Sequence, residues 1–113
     1  MAVEAPALTQ LRRGVLEHCV LALLEGGERY GYDLVAELAG AGLLASEGTI
    51  YPLLSRLRGD DLVATTWRES ASGPPRRYYS LTRAGADALD AFRDAWGQFS
   101  YSVNSILSRK GAS

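Results

Sequence analysis

Two groups of side chains in this sequence are spaced to read and clamp an anionic polymer. The first lies in SEGTIYPLLSRLRGDDL, which begins at Ser46. Ile50, Leu53, Leu54 and Leu57 recur at the three-and-four spacing of one apolar helix face. Thr49, Tyr51, Ser55 and Arg56, between them, form a polar face. The second lies in LVATTWRESASGPPRRYYSLT, a hairpin pattern whose second strand opens on Arg76-Arg77. Gly48 lets the backbone approach a duplex closely. Thr49 offers a hydroxyl and a methyl to a base edge or a phosphate, and Tyr51 projects between the inward positions. Arg56 suits a phosphate or a guanine. Arg68, Arg76 and Arg77 suit a minor groove and its flanking phosphates. Ser46 and Tyr32 suit phosphates, and Ser46 is also a good helix cap. Each has a plainer alternative: Tyr51 packed under the hairpin, Arg56 a solvated surface charge, the hairpin arginines mere solubilisers. Neighbours on a regular strand point to opposite faces, so at most one of Arg76 and Arg77 is expected to face DNA well.

These groups need a scaffold to aim them. Leu11–Leu24 reads as a helix with Leu16, Cys19, Val20, Leu23 and Leu24 inward, stopped by Gly26-Gly27. Tyr32 to about Ala41 reads as a shorter one, with Leu34, Val35 and Leu38 inward. The third helix starts at Ser46 and ends at Gly59 and the Asp60-Asp61 pair. Pro52 sits near its start, where the missing N–H is tolerated. Leu62–Glu69 and Arg76–Leu81 are the two strands. The Pro74-Pro75 pair argues against a tight two-residue turn and for a longer, mobile tip. Thr82 caps a last helix running to about Leu107. The predicted fold is mainly α with a two-stranded β wing, a winged helix-turn-helix over 8–81 followed by a long C-terminal dimerisation helix over 82–108.

That last helix carries a separate pattern. Leu89, Phe92, Trp96, Phe99, Val103 and Ile106 are separated by 3, 4, 3, 4 and 3 residues, a heptad seam. Such a seam meets another helix along its length. A second copy of the chain is the simplest partner; folding back on the first helix is the alternative. Trp96 sits mid-seam with Phe92, Phe99 and Asp94 near it. Leu16 and Cys19 of the first helix are candidate walls for a pocket that would take a flat hydrophobic or cationic molecule. The plain alternative is that Trp96 simply fills the interface.

The bulk composition narrows the classes. At 113 residues the chain is one domain, or one domain with an appended helix. Net charge is −1, poor support for a nucleic-acid binder when read globally. From Ser46 to Arg83, however, there are six Arg against four acids, whereas Met1–Ala45 has three Arg against six acids. Few cations would carry a DNA contact, which predicts strong salt sensitivity. A single cysteine fits a reducing cytoplasm, and no apolar run of about 18 residues suggests a membrane span. The N-terminus lacks the pattern of a secretion signal. His18 and Cys19 are adjacent, so on a helix they point about 100° apart and suit no metal. No phosphate loop or His-based triad is visible, so neither a cofactor nor an enzyme is expected.

The strings GTIYPLLSRLRGDDLV and RRYYSLTRAG, with Tyr30-Gly31-Tyr32-Asp33-Leu34 before them, resemble the PadR family of bacterial transcriptional regulators. The resemblance covers the chain from Leu11 to Leu107. It implies a winged-helix, typically homodimeric repressor that binds double-stranded DNA. A dimer implies an inverted repeat, with half-sites about one helical turn, ~10 bp, or a multiple apart. One helix after the wing looks like the small-C-terminal-domain subgroup. The LDAFRDAWGQF segment is similar to that of a drug-binding, multidrug-responsive lactococcal member, in which a tryptophan of the dimer helix stacks on flat ligands. Two positions depart from the common pattern: Tyr30 stands where many members have a histidine, and the wing tip holds Pro74-Pro75. The competing class is a dimeric winged-helix adaptor that binds protein and not DNA. An adaptor would not need three wing arginines beside the Gly48-Thr49-Tyr51 face.

Overall fold

A computed structural model describes residues 6–44 and 47–109, with the side chains of 14–44 and 48–109. Eight stretches of secondary structure follow one another. They are α1 (Pro6–Leu24), β1 (Arg29–Tyr30), α2 (Gly31–Gly40), a 3₁₀ turn (Glu47–Thr49), α3 (Ile50–Gly59), β2 (Val63–Ser70), β3 (Gly73–Leu81) and α4 (Arg83–Leu107).

The helices form where the apolar spacing places them, with different ends. α1 begins five residues before the expected Leu11. Pro6 suits a first helical position, where its missing N–H has no partner to lose. α3 is entered through the 3₁₀ turn, and Thr49 occupies its cap position without a side-chain capping bond. The proposed cap, Ser46, lies outside the described residues. Pro52 falls in the first turn of α3, where backbone N–H groups lack intrahelical acceptors anyway. α3 ends by backbone closure: Leu62 N–H donates to Leu57 O at 2.9 Å and Asp61 N–H to Arg58 O at 3.0 Å. That closure puts Asp61 at φ 63°, a left-handed conformation in which aspartate is among the better-tolerated side chains.

One core holds the fold. Val20, Leu21 and Leu24 of α1, Leu34 and Leu38 of α2, and Ile50, Leu54 and Leu57 of α3 are sealed from solvent. Val63 and Tyr79 close it from the sheet, and Leu89 from α4. Burying one such leucine is worth about 2–3 kcal/mol. Leu21 is a core residue that the predicted stripe of the first helix omits, because four neighbouring elements surround α1 more widely than one stripe allows.

The sheet corrects the expectation in two ways. It has three strands in the order β1-β3-β2, all antiparallel, with Arg29 opposite Tyr79 and Tyr30 opposite Tyr78. The hairpin turn is also tight, with Ser70 paired to Gly73. The prolines do not lengthen the tip. They fall in a register shift, with Arg68 opposite Arg76 and then Ser70 opposite Gly73, so Glu69 faces both Pro74 and Pro75. A bulge takes residues that cannot donate to the ladder out of its regular pairing.

The hinge between sheet and α4 is tightly built. Thr82 N–H donates to Leu62 O at 3.2 Å, and Thr82 Oγ1 accepts from Gly85 N at 2.9 Å as the α4 cap. A Cβ on Gly85 would stand 2.1 Å from Leu62 O, so only glycine fits. Beyond Leu89, α4 leaves the core and projects outward, giving the chain a long axis of 64 Å. No helix among the described residues is long and apolar enough to cross a membrane.

Candidate nucleic-acid interface

α3 turns Ile50, Leu54 and Leu57 inward and leaves its opposite face in solvent. Gly48 and Thr49 are exposed just before it. Tyr51 is 49% exposed, with its ring edge beside Gly31 at the start of α2. A Cβ at Gly31 would lie 3.6 Å from Tyr51 Cε1 and 3.3 Å from Tyr79 Cε1, so glycine allows α2, α3 and the sheet to meet closely here. Tyr32, in the first turn of α2, is also exposed. The structure thus brings Tyr32, Gly48, Thr49 and Tyr51 to the surface around the first turns of α2 and α3.

Arg56 is placed differently from the expectation. Its guanidinium donates to Glu17 of α1 at 2.5 Å and lies 3.8 Å from Asp60. The bond to Glu17, then its charge, raises the arginine's already high pKa. In this conformation Arg56 ties α3 to α1, with about half of its side chain still open to solvent.

The wing sorts its arginines by the alternation of side chains along a strand. Residues directly opposite on antiparallel strands share a face. Trp67 and Arg77 are opposite each other, on the face that carries Val63 and Tyr79 into the core. Arg68 and Arg76 are opposite each other on the outer face, with Tyr78 and Tyr30. Every wing arginine lies over a ring: Arg77 over Trp67 at 4.8 Å, Arg76 over Tyr30 at 4.8 Å, Arg68 over Tyr78 at 5.5 Å. Arg68 is also ion-paired to Glu28, just before β1. No carboxylate pairs with Arg76 or Arg77 among the described residues. Local sequence patterns do not mark Trp67, Tyr30 and Glu28 as partners of the arginines. The only available signal was the cross-strand register, and that needs the turn to be placed correctly.

The seam of α4 divides in two. Leu89 was expected at an interface between copies; at 1% exposure it is instead sealed in its own subunit's core, where it anchors α4. Phe92 is partly buried. Its ring stacks on His18 of α1, with centroids 4.0 Å apart and planes 5° apart, another contact that local sequence patterns do not mark. From there the seam is open: Trp96 is 45%, Phe99 63% and Ile106 57% exposed, with Val103 between them. Phe92, Trp96 and Phe99 form a ladder with ring centroids 6.0 and 6.5 Å apart. Asp94 is exposed on the same helix. Leu16 is a core residue, and Cys19 packs against that core, its thiol pKa raised by burial. Among the described residues no cluster of His, Cys, Asp and Glu is arranged to hold a metal ion.

Comparison with known proteins agrees with this architecture. The model of the transcriptional regulator PadR-like family matches residues 20–91. A transcriptional regulator of Mycobacterium tuberculosis is 34% identical over 88 residues, spanning 78% of this chain and 81% of that protein. The crystal structure of a PadR-like transcriptional regulator from Bacillus cereus is similar with a TM-score of 0.81 and 40% identity, over 89% of this chain and 99% of that one. A PadR family regulator from Eggerthella lenta gives the same TM-score at 35% identity, over 92% and 91%. With the family model matched over most of the chain and these relatives similar along most of their length, the chain belongs to the PadR-like family of DNA-binding, winged-helix transcriptional regulators.

Proposed function

We propose that this regulator is a cytoplasmic homodimeric repressor that binds an inverted repeat and is released by a small flat hydrophobic ligand. The observation that carries the reading is the exposed Thr49–Tyr51 surface of α3 beside a wing with two arginines that pair with no carboxylate among the described residues. The first turn of α3 enters the major groove, and Thr49 and Tyr51 meet base edges while Gly48 permits close approach. Tyr32 and the wing arginines hold phosphates, which supply most of the affinity. Ser46 joins them as a phosphate contact.

Dimerisation is supported by the projecting half of α4. Trp96, Phe99, Val103 and Ile106 form an apolar stripe of a size that proteins seldom leave in water. A second copy crossing there brings two Trp96 ladders together. A flat molecule held between them, with Asp94 favouring a cation, changes the angle between the two reading heads and hence DNA affinity. The similarity of LDAFRDAWGQF to a drug-binding member of the small-C-terminal-domain subgroup is the support for that step.

A gel shift with the DNA upstream of the protein's own coding region tests the core of the reading. A salt-dependent shift, abolished or much weakened by Tyr51→Ala, is expected. No shift at low salt would favour a protein-binding adaptor. A thermal-shift screen of flat aromatic dyes, with Trp96→Ala as control, tests the ligand; dyes that stabilise both proteins equally would refute the pocket.

A further inference from the structure

The wing arginines are not free side chains on a solvated hairpin. Energetically significant cation–π contacts occur roughly once per 70–80 residues. Here three fall within one hairpin and the strand beside it, one for each wing arginine. Their arrangement is also two-sided. Arg76 leans on Tyr30 on the outer face, and Arg77 leans on Trp67 on the opposite face. Arg68, the third, already has Glu28 as its counter-ion. Arg77 is half-buried, and its Nε is shielded from water with no hydrogen-bond acceptor among the described residues. Trp67 itself is 61% exposed, so packing in the core does not account for its size at this position.

A minor groove about 6 Å wide is bounded by two phosphate ridges, one from each strand. A hairpin entering edge-on turns one face to each ridge. Building on the DNA-binding reading above, we propose that Tyr30 and Trp67 are positioning residues that hold Arg76 and Arg77 apart on the two faces of the wing. The wing thereby clamps phosphates of opposite strands at once. Adjacent arginines pointing to opposite faces, which on a flat approach would waste one of them, then both make contact. Each ring also limits the rotamers its arginine must give up on binding, which lowers the entropy cost of the phosphate contact.

The test uses the full chain and a fluorescein-labelled duplex carrying its own upstream region, followed by anisotropy across a salt series. Arg76→Ala and Arg77→Ala should each weaken binding several-fold and each lower the salt slope by about one. Phosphate-ethylation interference should lose its signals on opposite strands in the two variants. Trp67→Ala should weaken binding by about threefold and add nothing in an Arg77→Ala background. Trp67→Phe should restore most of the loss, and Tyr30→Ala should behave toward Arg76 in the same way. Two results would overturn the clamp: interference signals lost from a single strand, or full additivity of Trp67→Ala with Arg77→Ala. A Trp67→Phe protein as weak as Trp67→Ala would overturn the positioning role. Wild-type protein without salt-dependent binding would sink the DNA reading itself, a failure distinct from all of these. Circular dichroism of each variant checks that the changes, two of them at the partly buried Tyr30 and Arg77, leave the fold intact.

Discussion

The imidazole of His18 and the ring of Phe92 lie face to face, 4.0 Å apart and 5° from parallel. This stack joins the outermost turn of the core to the helix that projects from it, and Arg93 of the same turn holds Glu25 with bonds of 2.8 and 3.0 Å. α4 is therefore clasped to α1 by a ring stack and, next to it, to the residue just after α1 by an ion pair. Removing the stack with His18→Ala should cost about 1–2 kcal/mol, read as a lowered urea midpoint, and His18→Phe should recover most of it.

The Glu25–Arg93 pair predicts a pH effect. The hydrogen bonds from Arg93 hold the Glu25 carboxyl below the ordinary carboxylate range. A group with a lowered folded pKa stabilises fully above its unfolded value, near about 4.3, and loses that contribution as pH falls through the lowered one. Both ends are in water, so the effect is small. Wild type should exceed Glu25→Gln in stability at neutral pH, and the two should converge in acid. Melting curves against pH would check this, and a gap that widens in acid would contradict it.

Gly85→Ala should be among the most damaging single changes. Its Cβ would meet Leu62 O at 2.1 Å, and both backbones are fixed, by Thr82 on one side and the end of α3 on the other. A loss of about 3 kcal/mol is expected from overpacking, measured by chemical denaturation.

Cys19 should be slow to alkylate. Burial against the core raises its thiol pKa above the usual value, so little thiolate is present at neutral pH. Reaction with iodoacetamide should accelerate only on unfolding in urea.

Glu28→Gln should strengthen DNA binding. Glu28 neutralises Arg68, which otherwise stands over Tyr78 on the outer face of the wing. Freeing that cation should tighten binding and raise the salt slope by about one, read by anisotropy.

Much of this was legible in the chain. The three-and-four spacing of Ile50, Leu54 and Leu57, and of Leu34 and Leu38, states which faces are buried, because helix periodicity is local. The exposed Thr49–Tyr51 surface follows by subtraction. What could not be read was set by contacts between distant residues. β1 is two residues long and exists only because Tyr78 and Tyr79 lie beside it. Arg56 is ion-paired to Glu17, 39 positions away, a contact no local pattern announces. Leu89 satisfied a heptad count equally well as core or as interface, and only the packing of α4 on the domain distinguished them. The prolines argued for a longer tip, yet the turn is tight, because a bulge next to it absorbs them.

That bulge has a consequence beyond register. Past Tyr78 the edge of β3 has no neighbouring strand among the described residues, since β1 ends there. An open edge invites a strand from another molecule to add itself and grow an aggregate. Pro74 and Pro75 occupy that margin and have no N–H to offer an incoming strand. Along this margin of β3 the hairpin can therefore stay bare in a crowded cell without recruiting its own kind.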